Sequence, residues 1–378
     1  MSKAFNLVFF KLSPRCSFMY ISRVSLRNFR NYDLLNLDLN DGVNIFYGDN
    51  AQGKTNFLES IYLCAMGRSQ RTHNDRELIS FGSSHSSLQL LLNSDSFSDK
   101  IDVLLFKDKK KSISVNGLPI SKFGDLFGVL LTVIFSPEDL QLIKSGPSER
   151  RKFMDIELCQ ISNIYYHELK QYYKILKHRN SLLKAIKSDS SLNSTLSIWD
   201  DQLVLHGIKI IKMRLAFTQQ LSDLAASIYS SITNSKEILT VSYKPNCTES
   251  DFSDRLIKSR SRDVFHGITT CGIHKDDLSF FVNNFDVRIY GSQGQQRSVS
   301  LSAKLAEIEL IKSKKHKVPV LLLDDVLSEL DESRQLYLLN SIKSLQTILT
   351  CTGVEDVIKK LDYDYSLYSV RGGVIQQT

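Results

Sequence analysis

The spacing of apolar residues changes along the chain, and the changes mark the elements. Between residues 20 and 47, apolar residues, Val, Ile and Phe prominent among them, gather in YISRVSLRNF, LLNLDL and VNIFYG, which predicts strands with Asn40-Asp41-Gly42 as a hairpin-type turn. From Lys54 the spacing becomes helical, with Phe57, Ile61 and Cys64 or Ala65 on one face. Residues 86–134 return to strand-like runs: SLQLLL, KIDVLLF, SISVNG and GVLLTVIF. Helical spacing then covers 148 to about 186 and about 198 to 233. In the second segment Leu203, Ile210, Phe217 and Leu224 stand seven apart, and Leu221 and Ile228 extend the same face. The serine-rich SDSSLNSTLS at 188–197 reads as a turn or flexible tip between them. Either an antiparallel coiled-coil-like hairpin or a plain helical subdomain fits this spacing. After residue 263 strands are expected at LSFFVN, VRIYG and VPVLLLDD, with helices over 294–314 and 331–343. The strand TILTC and a short helix and strand close the chain. The expected organisation is an α/β domain over 19–138 and 268–378, interrupted by a helical insertion at 139–267.

Composition narrows the class. The chain has 378 residues, 42% hydrophobic and 24% charged, an ordinary soluble profile with room for two or three domains. No apolar run is long enough to span a bilayer, so no membrane association is expected. Cys16, Cys64, Cys159, Cys247, Cys271 and Cys351 lie far apart, without C-x-x-C or zinc-ligand spacing, which suits a reducing, cytoplasmic compartment. Residues 1–18 carry an apolar stretch broken by Lys11 and no cleavage pattern, and Met19 precedes the first strand. They read as a flexible tail or a start site placed too early. A net charge of +7 mildly favours a polyanionic partner.

The candidate chemistry begins at Gly48-Asp49-Asn50-Ala51-Gln52-Gly53-Lys54-Thr55, a complete G-x-x-x-x-G-K-[ST] between an apolar strand and a helix. A triphosphate needs several inward-pointing N–H donors, and glycine lets the backbone wrap that closely. The helix N-terminus adds positive partial charge. Lys54 is placed to pair with β- and γ-phosphates, and Thr55 to offer its hydroxyl to Mg²⁺. The continuous apolar run before Asp324 and Asp325 predicts a doubly buried parallel strand ending at the ligand-binding edge of a sheet. Asp324 is a candidate Mg²⁺ ligand, and Asp325 a candidate to polarise the attacking water. Residues Gly291-Ser292-Gln293-Gly294-Gln295-Gln296-Arg297 open a helix, where Ser292, Gly294 and Gln295 can face an anion.

This last run resembles the signature of ABC-type ATPases, and Val326-Leu327-Ser328-Glu329-Leu330-Asp331 resembles their D-loop. From Met19 onward the chain resembles the RecF family. The matching segments are Tyr20-Ile21 through Leu26 to Tyr32, Gly48 to Asn56, Gly67-Arg68-Ser69 with Arg71-Thr72, and Phe135 to Leu140. Gly146-Pro147 with Arg150 to Phe153, and His274 with Asp276-Asp277, complete the set. The resemblance implies an α/β P-loop ATPase head of the ABC/SMC type with an inserted, short coiled-coil-like arm. It implies ATP and Mg²⁺ as ligands and two composite sites, the signature of one protomer covering the γ-phosphate held by its twin. It further implies an ATP-dependent homodimer on single- or double-stranded DNA, at gaps or junctions, working with RecR and RecO to deliver RecA. Three departures stand out: Ile273 and Lys275 replace Pro and Arg, Asp325 replaces the transporters' Glu, and Thr350-Cys351-Thr352 replaces their switch His. The last two fit slow hydrolysis. Basic clusters at Lys107 with Lys109 to Lys111, Arg150 to Lys152, Arg255 to Arg262 and Lys312 to Lys317 are candidate DNA contacts, with no base-reading motif. Competing readings are a nucleotide-gated binding module without turnover, a transporter ATPase subunit and an SMC-like head outside recombination.

Overall fold

The computed structural model describes residues 17–94 and 97–378. The expectation about the N-terminal tail therefore lies, up to Cys16, outside the described residues. In chain order the first strands and helix are β1 (Met19–Phe29), β2 (Tyr32–Asp38), β3 (Val43–Tyr47), α1 (Lys54–Met66), β4 (His85–Ser94), β5 (Ser98–Phe106), β6 (Ser112–Val115), β7 (Leu118–Pro119) and β8 (Thr132–Phe135). Helices α2 (Gln141–Lys144), α3 (Pro147–Ile161), α4 (Asn163–Ile186) and α5 (Leu196–Thr233) follow, then β9 (Leu239–Lys244) and α6 (Phe252–His266). Next come β10 (Asp277–Val282), β11 (Phe285–Asp286), α7 (Val287–Tyr290) and α8 (Gln293–Lys315). The chain closes with β12 (Val320–Asp324), α9 (Glu332–Ser341), β13 (Thr347–Cys351), α10 (Glu355–Ile358), β14 (Tyr365–Arg371) and β15 (Val374–Gln377).

Two compact units result: one runs to Asp139 and resumes at Glu307, and the other is Leu140–Ala306. The first contains two six-stranded sheets, ordered β2-β1-β4-β5-β6-β7 and β15-β14-β3-β13-β12-β8. The former is antiparallel, and the latter is parallel from β14 to β8. Helix α1 packs on strands of both sheets and is buried around nearly its whole circumference, which explains its weak amphipathicity. The all-buried burial pattern of β12 is that of a parallel central strand.

Asn40-Asp41-Gly42 is not a hairpin turn. β2 pairs with β1 in one sheet, whereas β3 lies between β13 and β14 in the other, so both edges of β3 are taken. Asn44 instead braces the crossover, donating from Nδ2 to the carbonyls of Asn40 and Gly42. VRIYG is likewise not a strand. Asp286 accepts a hydrogen bond from the Arg288 amide and turns Val287–Tyr290 into a helical turn.

In the second unit α4 and α5 pack side by side, joined by a 3₁₀ turn, Ser190–Thr195, which Asp189 caps. The buried stripe of α5 includes Leu203, Gly207, Ile210, Arg214, Phe217 and Leu221, alternating four and three residues, and Ile228 seven further on. Leu224 is only half-buried. This unit also takes in residues 268–306, because β9 pairs with β10 in a three-stranded sheet that packs on α5 and α3.

Candidate nucleotide site and signature helix

The loop after β3 is held open by its glycines. Gly48 has φ 153° and Gly53 φ 119°. A Cβ on Gly48 would overlap the Val370 carbonyl, and one on Gly53 would sit 2.6 Å from Asn31 Nδ2. Asp49, Asn50 and Ala51 are exposed at the loop crest, with Ala51 in the left-handed region at φ 64°. Around the loop, Asn31 Nδ2 donates to the Gln52 carbonyl (3.0 Å) and Tyr32 Oη to the Gly53 carbonyl (2.9 Å). The Gly372 amide donates to Gln52 Oε1 (2.7 Å) and the Gly373 amide to the Gln52 carbonyl (3.0 Å).

Lys54 Nζ folds back onto the Gly48 and Asp49 carbonyls at 2.6 and 2.8 Å, so the ammonium already lies along the cradle. Thr55 Oγ1 donates to Asp324 Oδ1 at 3.0 Å. Thr350 Oγ1 donates to the same oxygen at 2.9 Å and accepts from the Asp325 amide at 3.0 Å. The expected residues Lys54, Thr55, Asp324 and Asp325 are thus brought together at the end of β12. Thr350, considered from sequence only as part of a sensor region, orients the Asp324 carboxylate and holds the Asp325 backbone. Asp325 has φ 51°, a left-handed backbone conformation. Burial pushes the Asp325 carboxyl upward; Lys54 opposes this, while Asp324 and Glu329 add to it. Burial and neighbouring Asp325 raise the Cys351 thiol to about 11, so it stays protonated at neutral pH.

Behind α1 lies a cluster that sequence reading missed. Glu59 is fully buried and accepts from Arg30 Nε (2.9 Å) and Nη2 (3.0 Å), Ser69 Oγ (2.5 Å) and Arg71 Nη1 (3.4 Å). Arg71 Nη1 also reaches Asn56 Oδ1 at 2.9 Å, and Asn56 Nδ2 reaches Asn31 Oδ1 at 2.8 Å. The NFRN and GRS-x-RT motifs thereby buttress the loop and the first turn of α1. The visible signal was a glutamate on an otherwise apolar helix, which demands partners when buried.

Ser292, Gly294 and Gln295 belong to the other unit, at the start of α8. The Ser292 amide donates to Gln295 Oε1 (2.9 Å) and the Gln295 amide to Ser292 Oγ (3.2 Å), a reciprocal capping box. Gln295 Nε2 donates to Glu237 Oε1 (2.7 Å), and Tyr229 of α5 donates to the other Glu237 oxygen (2.5 Å). Ser292 itself is exposed, so the positive end of this long helix faces solvent.

The Gly272–Asp277 segment is a structural hub. Arg214, fully buried, donates to Asp276 Oδ2 (2.7 Å), the Ile273 carbonyl (2.8 Å), Asp155 Oδ1 (2.8 Å) and Tyr165 Oη (3.0 Å). Arg150 grips Asp277 with two nitrogens at 2.7 and 2.9 Å. His274 bonds Tyr172 Oη (2.9 Å) and the Thr269 carbonyl (3.0 Å). Lys275 is exposed.

This architecture and this loop define a class, the head ATPase of SMC-type proteins, and the sequence matches the RecF/RecN/SMC N terminal domain over residues 20–376. The DNA replication and repair protein RecF of Lachnoclostridium phytofermentans is 46% identical over 359 residues, covering 95% of this chain and all of its own. That of Lachnospira eligens is 48% identical over 94% of this chain and 98% of its own. A solved structure of the recombination mediator protein RecF-ATPrS in the RecFOR pathway superposes with TM-score 0.88 at 36% identity, over 95% of this chain and 98% of the other. The Smc head domain of Pyrococcus furiosus shares the fold alone, at 15% identity and TM-score 0.57 over 95% of this chain and 96% of its own. The chain belongs to the RecF family.

Proposed function

We propose that this chain is an ATP-dependent DNA clamp of recombinational repair, in which ATP binding drives dimerisation on DNA and slow hydrolysis releases it. The observation that carries this reading is the convergence of Lys54, Thr55, Asp324 and Asp325 at one sheet edge. Its nucleotide and its pathway come from the solved relatives, described as RecF with ATP and as a recombination mediator of the RecFOR pathway. RecR, RecO and RecA are the expected functional partners.

The residues fit the ligands. Lys54 can exchange two backbone carbonyls for phosphate oxygens without changing its direction. The Thr55 hydroxyl and Asp324 carboxylate are adjacent hard oxygen donors, the set that Mg²⁺ prefers. Bound there, Mg²⁺ would neutralise charge on the phosphates. Asp325, whose affinity for protons is raised by burial, accepts the proton of the attacking water as the β–γ bond breaks. Its short side chain and strained backbone suit a timer better than a rapid motor. Gly294 and Gln295 beside Ser292 would cover the γ-phosphate held by a second protomer.

Sedimentation with and without ATP tests the reading. Lys54→Ala is expected to abolish ATP-driven association, and Asp325→Asn to accumulate the nucleotide-bound dimer while hydrolysis falls by about 10²-fold or more. Unchanged hydrolysis in Asp325→Asn would remove its assigned role. A wild-type chain that binds and dimerises with ATP yet shows no turnover would favour a nucleotide-gated binding module instead.

A further inference from the structure

Several residues of the basic runs conspicuous in the sequence are held by neighbouring groups. Lys111 pairs with Asp75, Arg150 with Asp277, Arg260 with Asp200 and Lys312 with Glu309. Arg151 donates to the Asp276 carbonyl. The lysines of α4 are arranged differently. Its core face is Tyr165, Glu168, Tyr172, Ile175, Leu176, Arg179, Leu183 and Ile186. Lys170, Lys174, Lys177 and Lys184 are exposed on the opposite face, at helical spacing. The single carboxylate of this helix, Glu168, is turned inward and held by His206 and Lys209. No carboxylate pairs with these four lysines among the described residues.

The stripe continues onto α6. Arg262 Nη2 donates to Thr270 Oγ1 at 2.8 Å, and neighbouring Thr269 donates to Asn180, which lies between Lys177 and Lys184 on the same side of α4. Gly267, capping the end of α6, lies against Lys184 and Lys187. Arg262 thus stands beside the distal lysines. Four unpaired ammonium groups held on one rigid helix repel one another unless an anion is shared among them. A rigid row about 21 Å long, from Lys170 to Lys184 at ~1.5 Å per residue, matches a regular line of phosphates better than one small anion.

We infer that this face of α4, with Arg262, is a docking surface for the phosphate backbone of double-stranded DNA. The inference rests on the reading of the chain as a DNA-binding ATPase and adds which surface of the arm carries the contact. Lysine and arginine on phosphates give affinity without sequence preference.

The test is duplex binding, measured by fluorescence anisotropy across a salt series, for the ATP-bound full chain and for Lys174→Gln/Lys177→Gln/Lys184→Gln. A control, Lys107→Gln/Lys109→Gln/Lys110→Gln, removes the same charge elsewhere. The α4 variant is expected to bind about ten- to a hundredfold more weakly near physiological salt, with a salt slope shallower by roughly 3. ATP-driven dimerisation without DNA should match wild type. Equal losses in both triple variants would reduce the effect to net charge and overturn the inference, as would a loss confined to single-stranded DNA. A wild-type chain without salt-dependent DNA binding would instead defeat the functional reading beneath it.

Discussion

At Gly53 the backbone conformation and the surrounding space make the same demand. Its φ of 119° strains any L side chain, and an added Cβ would lie 2.6 Å from Asn31 Nδ2 and 3.0 Å from Tyr32 Oη. Gly53→Ala is expected to cost about 1–3 kcal/mol of stability and to weaken nucleotide binding by tenfold or more, read by denaturant titration and nucleotide fluorescence. His274 allows a pH prediction. Thr269 offers a carbonyl, so Nε2 must carry the proton there, and Nδ1 accepts from Tyr172. Burial, with Lys275 and Arg151 nearby, lowers the imidazole to about 4, against the Thr269 bond that favours its charged form. The unfolded chain then binds a proton near pH 6.5 that the folded chain refuses. This contribution to stability is complete above about pH 6.5, falls away as pH drops toward 4, and amounts to a few kcal/mol. His274→Gln should flatten the stability curve within that window, and an unchanged curve would show that another group sets it. Such residues mark the limit of the sequence. Lys54, Thr55, Asp324 and Asp325 were legible because each sits in a short contiguous motif whose chemistry is local. Glu59 was not, since Arg30, Ser69 and Arg71 reach it from separate stretches.

At the scale of elements, α5 shows how a heptad pattern can be correct and incomplete. Leu203, Ile210 and Phe217 are buried as their spacing predicts, but the intervening seam positions are Gly207 and Arg214. Neither looks like a core residue, because each is defined by its neighbours. Gly207 makes room for the Phe252 ring, which an added Cβ would overlap. Arg214 is paid for by Asp155, Tyr165 and Asp276. Burial works against its charge, yet Tyr165, Asp155, Tyr243 and Asp276 together raise its pKa well above the ordinary arginine value. Tyr243 in turn donates to Asp276, and the Asn246 amide donates to it at 2.7 Å. Gly207→Ala gives a clear sign test. In an exposed helix it would stabilise by about 1 kcal/mol. Here it is expected to destabilise by roughly 1–3 kcal/mol, and Phe252→Leu in the same chain should recover part of the loss. Denaturation midpoints of the two single variants and the double variant decide it. The same dependence on partners explains the hairpin misread at Asn40–Gly42: the turn residues are ordinary hairpin formers, but β3 has both edges occupied.

For the whole molecule, the sequence order of the motifs was legible and their assembly was not. The loop and acidic strand belong to one compact unit, and Ser292, Gly294 and most of the signature helix to the other. If the two meet across a two-fold axis between protomers, each composite site draws one half from each chain. That arrangement makes a prediction that a site within one chain cannot satisfy. Lys54→Ala removes the cradle of its own protomer and leaves its Ser292 helix intact. Ser292→Arg blocks the helix end and leaves its own cradle intact. Either variant alone should lack ATPase activity, since Lys54→Ala does not associate with ATP and a pair of Ser292→Arg chains lacks one half at both sites. Mixed in equal amounts, only unlike chains can close on ATP, and each such pair has one complete site. Activity should then rise from near zero to at most about half of wild type, one working site of the two in each unlike pair. A mixture as inactive as its parents, from chains shown by sedimentation to exchange protomers, would rule out the shared site. Full activity from Ser292→Arg alone would show that the signature helix takes no part in hydrolysis.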